Sequence, residues 1–80
     1  MDDATIHERI EQLVDEEHEL WHRETEGDMN DETRQRLREL QIALDQMWDL
    51  LRQRKALRRA QLDPDTAQVR DPDIVENYRQ

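Results

Sequence analysis

The apolar residues of this chain form a mirror. Leu20 and Leu37 stand equally far from the point between residues 28 and 29, and so do Leu13 and Leu44, Ile10 and Met47, and Ile6 and Leu51. Within each half these residues recur at three- and four-residue intervals, the period of one face of an α-helix. A chain folded back near residues 28–29 sets each pair side by side. The fold class expected is therefore all-α: an antiparallel helical hairpin with helix 1 over 5–26 and helix 2 over 31–62. A short C-terminal helix is expected over 72–78. In domain terms, residues 1–62 form the hairpin and residues 63–80 an acidic tail.

Local signals agree with this frame. Thr5 and Glu8 have the spacing of a capping box, in which hydroxyl and carboxylate each take the other residue's amide. Gly27-Asp28 and Asn30-Asp31 give the turn, with Asn30 or Asp31 able to cap helix 2. Leu37, Leu40, Leu44, Met47 and Leu51 alternate at three and four, a coiled-coil a/d seam. Beyond Leu51 the seam positions fall to Arg54 and Arg58. Nothing in the residues stops helix 2 before Pro64, which disfavours helix at the residue before it. Arg52 to Leu62 is thus expected to overhang helix 1. Asp71-Pro72-Asp73 is a helix start, and Asp63-Pro64-Asp65 repeats the signal for a single turn. Two arrangements of the tail remain open: folding back onto the overhang, or ordering on a partner.

Eighty residues allow one small domain with a thin core. The chain contains no cysteine and no serine, so disulfides, thiol chemistry and serine nucleophiles are excluded. No Gly-rich phosphate loop or nucleotide fingerprint is present, and no apolar run approaches the roughly 18 residues that span a bilayer. No cofactor and no small-molecule substrate is indicated, and the cytoplasm is the expected location. The net charge of −9 is unevenly spread. Residues 1–33 hold thirteen acids and two bases, residues 34–62 eight bases and three acids, and residues 63–80 five acids and two bases. Such segregation either pairs segments within the fold or attracts a partner.

Few residue sets carry chemistry. His18 and His22 lie one helical turn apart beside Asp15 and Glu19, a spacing similar to the Glu-x-x-His pairs of di-metal helical bundles. The seam, however, places both on the outer face, and helix 2 sends no carboxylate inward. They are read as a solvated face, with a metal role as the lesser alternative. Glu17 interrupts the seam opposite Leu40, and either leans out to solvent or pairs with an arginine of helix 2. Arg52, Arg54, Lys55, Arg58 and Arg59 form a basic stretch able to meet phosphates or an acidic protein. No aromatic residue interleaves them for base stacking. Trp21 and Trp48 flank the seam at its two ends, and Leu50 and Leu57 add a second apolar line beside it. A two-helix hairpin has too little core to cover them all. A second hairpin laid antiparallel brings Trp48 of one chain to Trp21 of the other, giving a four-helix dimer.

Three stretches of the chain carry a resemblance. They are Leu13-Val-Asp-Glu-Glu-His18, Leu44-Asp-Gln-Met-Trp-Asp-Leu-Leu-Arg-Gln-Arg54, and the tail pattern Asp63-Pro64, Ala67-Gln-Val-Arg70 and Val75-Glu-Asn-Tyr78. Together they resemble a family of small, mostly actinobacterial proteins catalogued as domain of unknown function number 2630. The resemblance spans nearly the whole chain. It implies a short cytoplasmic helical protein of such a bacterium, and it implies no activity, cofactor or catalytic residue.

The function expected is that of a non-enzymatic protein-protein interaction module, with self-association into a homodimer as its first partner. Its binding residues are expected to be Trp21, Trp48, Leu50, Arg52, Arg54, Lys55, Leu57, Arg58, Arg59 and Tyr78. The alternative is a nucleic-acid- or ribosome-associated protein that uses Arg52–Arg59. No membrane partner is expected.

Overall fold

A computed structural model of the chain describes residues 1–25, 27 and 30–78, without the side chains of Glu24, Thr25, Asn77 and Tyr78. It is all-helical. Helix α1 spans Asp3–Thr25, α2 spans Asp31–Arg59, a 3-10 turn spans Pro64–Thr66, and α3 spans Pro72–Tyr78. The described residues hold no strand, and none of their helices is long and apolar enough to cross a membrane.

The mirror is the seam of the fold. Ile6, Ile10, Leu13 and Leu20 of α1 are buried together with Leu37, Leu40, Leu44 and Met47 of α2, and Leu51 packs partly buried against them. Gly27 has φ +79, a left-handed conformation that suits glycine at the chain reversal. The fold point itself, at residues 28–29, lies outside the described residues. Asn30 caps α2, its side chain accepting the Thr33 amide at 2.8 Å. Asp71 opens α3 with Pro72 at its first position; its carboxylate accepts the Asp73 amide at 2.9 Å.

Two helix ends differ from expectation. The cap of α1 is Asp2, not Thr5: the Asp2 carboxylate accepts the Thr5 amide at 2.8 Å, and Asp3 begins the helix. A carboxylate at the positive helix end is a stronger acceptor there than a hydroxyl, and the bond to Thr5 holds the Asp2 carboxyl below its ordinary value. Helix α2 ends at Arg59, not at 62. Gln61 turns left-handed with φ 62, and its amide reaches Arg58 O while the Leu62 amide reaches Leu57 O. This pair of bonds is a Schellman stop, with glutamine in the place glycine usually takes. Leaving the helix here aims Asp63 and Pro64 back along α2.

Helix α2 is the spine. Among the described elements, α1, the 3-10 turn and α3 each pack on α2. The molecule measures 50 × 25 × 16 Å, a flat layer with α2 between α1 and the tail.

Candidate interaction surface

The tail is seated on α2 by polar groups at one-turn intervals. Gln46, Asp49 and Gln53 form a line on the side of α2 away from the seam. Gln46 Nε2 donates to Arg70 O at 3.0 Å, and Gln53 Nε2 donates to Gln68 O at 2.8 Å and to Asp49 Oδ2 at 3.0 Å. Between them, Arg70 grips the Asp49 carboxylate with Nε and Nη2, both at 2.9 Å. Asp49 is only 2% exposed. A buried carboxylate is tolerated where its lone pairs are filled this way. Val75 of α3 completes the contact, fully buried.

A second clasp closes the open end of the hairpin. Arg54 Nε donates to Asp3, while Arg54 Nη1 donates to Pro64 O at 3.1 Å and Asp65 Oδ1 at 3.0 Å. Arg58 joins through Nη2 to Asp3 Oδ2 at 2.7 Å. Arg58 and Arg54 together hold the Asp3 carboxyl down at about 2, and Asp3 with Asp65 raises the Arg54 guanidinium above its usual range. Asp3 and Arg54 are themselves a mirror pair, so the hairpin register continues past Leu51 as an ion pair. The overhang therefore has a counterpart on α1, because α1 starts earlier than Thr5.

These clasps revise the expected surface. Leu50 is buried in the core and Arg54 is buried among carboxylates, so neither faces a partner. Leu57 is half-buried beside Thr66 and Ala67 of the tail. Arg58 is half-exposed but committed to Asp3. Arg52, Lys55 and Arg59 remain on the surface. Tyr78 ends α3, and its side chain lies outside the described residues. At the turn end, the arginine of α2 pairs with Glu16 rather than Glu17: Arg36 Nε and Nη2 meet the Glu16 carboxylate at 2.6 and 3.0 Å. That contact keeps the Glu16 carboxyl below its ordinary value.

Trp21, Ile42 and Trp48 stay exposed along the two long helices, as do Met1, Leu62, Val69 and Ile74 toward the ends and the tail. Trp48 is 44% exposed, Ile42 38% and Trp21 43%. Trp48 and Ile42 line an open groove of about 750 Å³ on α2, with Glu17 of α1 on one wall and Glu76 of α3 on the other. His7 meets Trp48 edge-on, with ring centroids 6.4 Å apart. His7, Val14 and Trp21 are spaced by sevens, so they run along one side of α1 and Trp21 belongs to the face that Trp48 occupies. His18 and His22 are on the solvent side. Among the described residues no three His, Asp or Glu side chains converge as a metal site requires.

Sequence reasoning missed Asp3, Asp49, Asp65 and Arg70. The legible signal was the line Gln46-Asp49-Gln53 flanked by Leu50 and Leu57, too polar for a seam and too regular for a solvated face.

The fold and surface define an all-α protein in which an ionically clasped tail braces a helical hairpin. The family described as "Protein of unknown function (DUF2630)" matches residues 2–80, and the chain belongs to it. Similar chains include uncharacterized proteins of Mycobacterium tuberculosis and Mycobacterium bovis. Each is 49% identical over 70 residues, covering 86% of this chain and 80% of the relative. No solved structure matches.

Proposed function

We propose that this protein is a non-enzymatic protein-interaction module of the cytoplasm. It presents the face of Trp21, Ile42 and Trp48, continued by Arg52, Lys55 and Arg59, to a protein partner. The observation that carries this reading is the groove on α2: two large apolar side chains line it at 38% and 44% exposure. Aromatic anchors beside cations are the composition that binding faces concentrate, whereas isolated exposed apolar residues mean little. The chain's lack of serine and cysteine nucleophiles supports a binding role over a catalytic one.

A photo-crosslinking residue at position 42, in the native cell, tests the reading. A discrete adduct is expected, and it should disappear with Trp48→Ala. A yield no higher than from the same probe at exposed Gln12 would overturn it. Adducts to RNA rather than protein would instead favour the nucleic-acid alternative. In that case binding through three cations should fall with salt with a logarithmic slope of about −2 on single strands.

A further inference from the structure

The tail is held in the way a bound peptide is held. Helix α2 grips it chiefly by main chain. Gln53 and Gln46 take the carbonyls of Gln68 and Arg70, and Arg54 takes the carbonyl of Pro64. Any sequence supplies those carbonyls. Ala67 is extended, with φ −64 and ψ 141, and residues 67–70 lie outside any helix or turn. The side chains of Gln68 and Val69 are exposed. Two side chains of this stretch are read by charge. Asp65 meets Arg54 at 3.0 Å, and Arg70 meets the buried Asp49 carboxylate through two bonds at 2.9 Å. Main-chain capture combined with a few side-chain pockets is how extended peptides are bound with both affinity and selectivity.

The seat is larger than its occupant. Between α2 and the tail lies an open cleft of about 520 Å³, with Arg52, Ala56 and Leu57 on one side and Thr66 and Ala67 on the other. Ala67 gives this cleft a single methyl group, and Leu57 stays half-buried. A longer apolar side chain at that place would cover Ala56 and Leu57. Each methylene so buried strengthens binding about fourfold.

We propose that this seat is a second binding site, separate from the Trp48 face, for an extended segment of another protein. The segment carries an acid, an apolar residue two places on, and an arginine three places beyond that. The chain's own tail, with Asp65, Ala67 and Arg70 at those places, is the resident ligand that the segment displaces. The underfilled cleft favours a foreign segment over the tail of a second copy, which would underfill it equally. The tail is able to yield. Between residues 64 and 76 its one buried side chain is Val75, and segments with few buried apolar contacts open locally before the rest of a fold. A tethered tail competes at an effective concentration on the order of millimolar, so it keeps the seat until a better-fitting segment arrives.

Fluorescence anisotropy tests this with labelled peptides of residues 63–71 in three forms: unaltered, Ala67→Leu, and Ala67→Leu/Arg70→Ala. The receptor is the full chain carrying Arg70→Ala, whose own tail has lost its grip on Asp49. The Ala67→Leu peptide should bind at least tenfold more tightly than the unaltered one, and its Arg70→Ala form should lose at least tenfold. An unaltered peptide that binds as tightly overturns the foreign occupant in favour of a second copy's tail. Binding that survives loss of the arginine overturns Asp49 as its reader, and no binding by any peptide overturns the site. A second measurement needs no peptide. In the full chain, Ala67→Leu should slow amide exchange at Arg70 and Val75 at least fivefold, and faster exchange there overturns the underfilled cleft. The position-42 adduct reports on the Trp48 face, so either reading can fail without the other.

Discussion

The two sides of α2 are held by different physics. Toward α1 it presents Leu37, Leu40, Leu44 and Met47, buried against Ile6, Ile10, Leu13 and Leu20. Toward the tail it presents Gln46, Asp49 and Gln53, which catch backbone carbonyls and one guanidinium. Apolar contact is non-directional, so the seam needs only the right period and volume. The tail side needs each donor to meet its acceptor, since an unpaired buried group costs about 1–3 kcal/mol. The seam therefore supplies the drive to fold, and the clasps decide where an otherwise polar segment lies.

Leu40→Ala should break the comparison most visibly. Leu40 is fully buried at the middle of the seam, and truncation should cost about 2–5 kcal/mol, read as a lower urea midpoint. That is a large share of what a domain of this size holds. A loss below about 1 kcal/mol would mean that the seam is not the main source of stability.

Asp49→Ala comes next, at about 2–3 kcal/mol, since it leaves Arg70 and Gln53 without their buried acceptor. Its effect should be local. Amides of Ala67, Arg70 and Val75 should exchange faster while those of α1 change little. Equal deprotection of α1 would show that clasp and seam are one cooperative unit.

The Asp3 clasp should show in pH. Its carboxyl is lowered from 3.8 to about 2 by Arg58 and Arg54, so the stability it contributes is present above pH 4 and is lost as pH falls toward 2. Asp3→Asn should flatten that part of the acid-unfolding curve. A slope unchanged in the variant would locate the acid sensitivity elsewhere, with Glu16 as the next group to test.

The smallest effect should be a gain. Gln61→Gly relieves a left-handed residue at the end of α2 and should raise stability by about 0.5–1 kcal/mol in thermal unfolding.

The hairpin was legible because its information is local and repeated. Ile10 and Met47 need only sit at the right period to be buried when two helices meet. Asn30 and Asp71 cap helices that begin within a few residues of them. The clasps were less legible because their partners are far apart in sequence: Arg54 meets Asp3 51 residues away, and Arg70 meets Asp49 21 away. An arginine at a seam position reads as the end of the seam, and only when Asp3 is seen opposite does it read as a continuation. Leu50 and Leu57 looked like an exposed second line because nothing in their own neighbourhood says that Ala67 and Val75 will cover that side.

By itself, then, the sequence determined the helices, the antiparallel register and the reversal near residue 28, because periodicity and capping act within a turn or two of chain. Only the tertiary structure decided which charges are spent inside the fold and which are left outside. Arg54 and Arg58 are adjacent on the chain to Lys55 and Arg59, and their charge is the same. The 100° step of the helix turns the first pair toward Asp3 and the second toward solvent, and that division leaves Lys55 and Arg59 exposed on the side of Trp48.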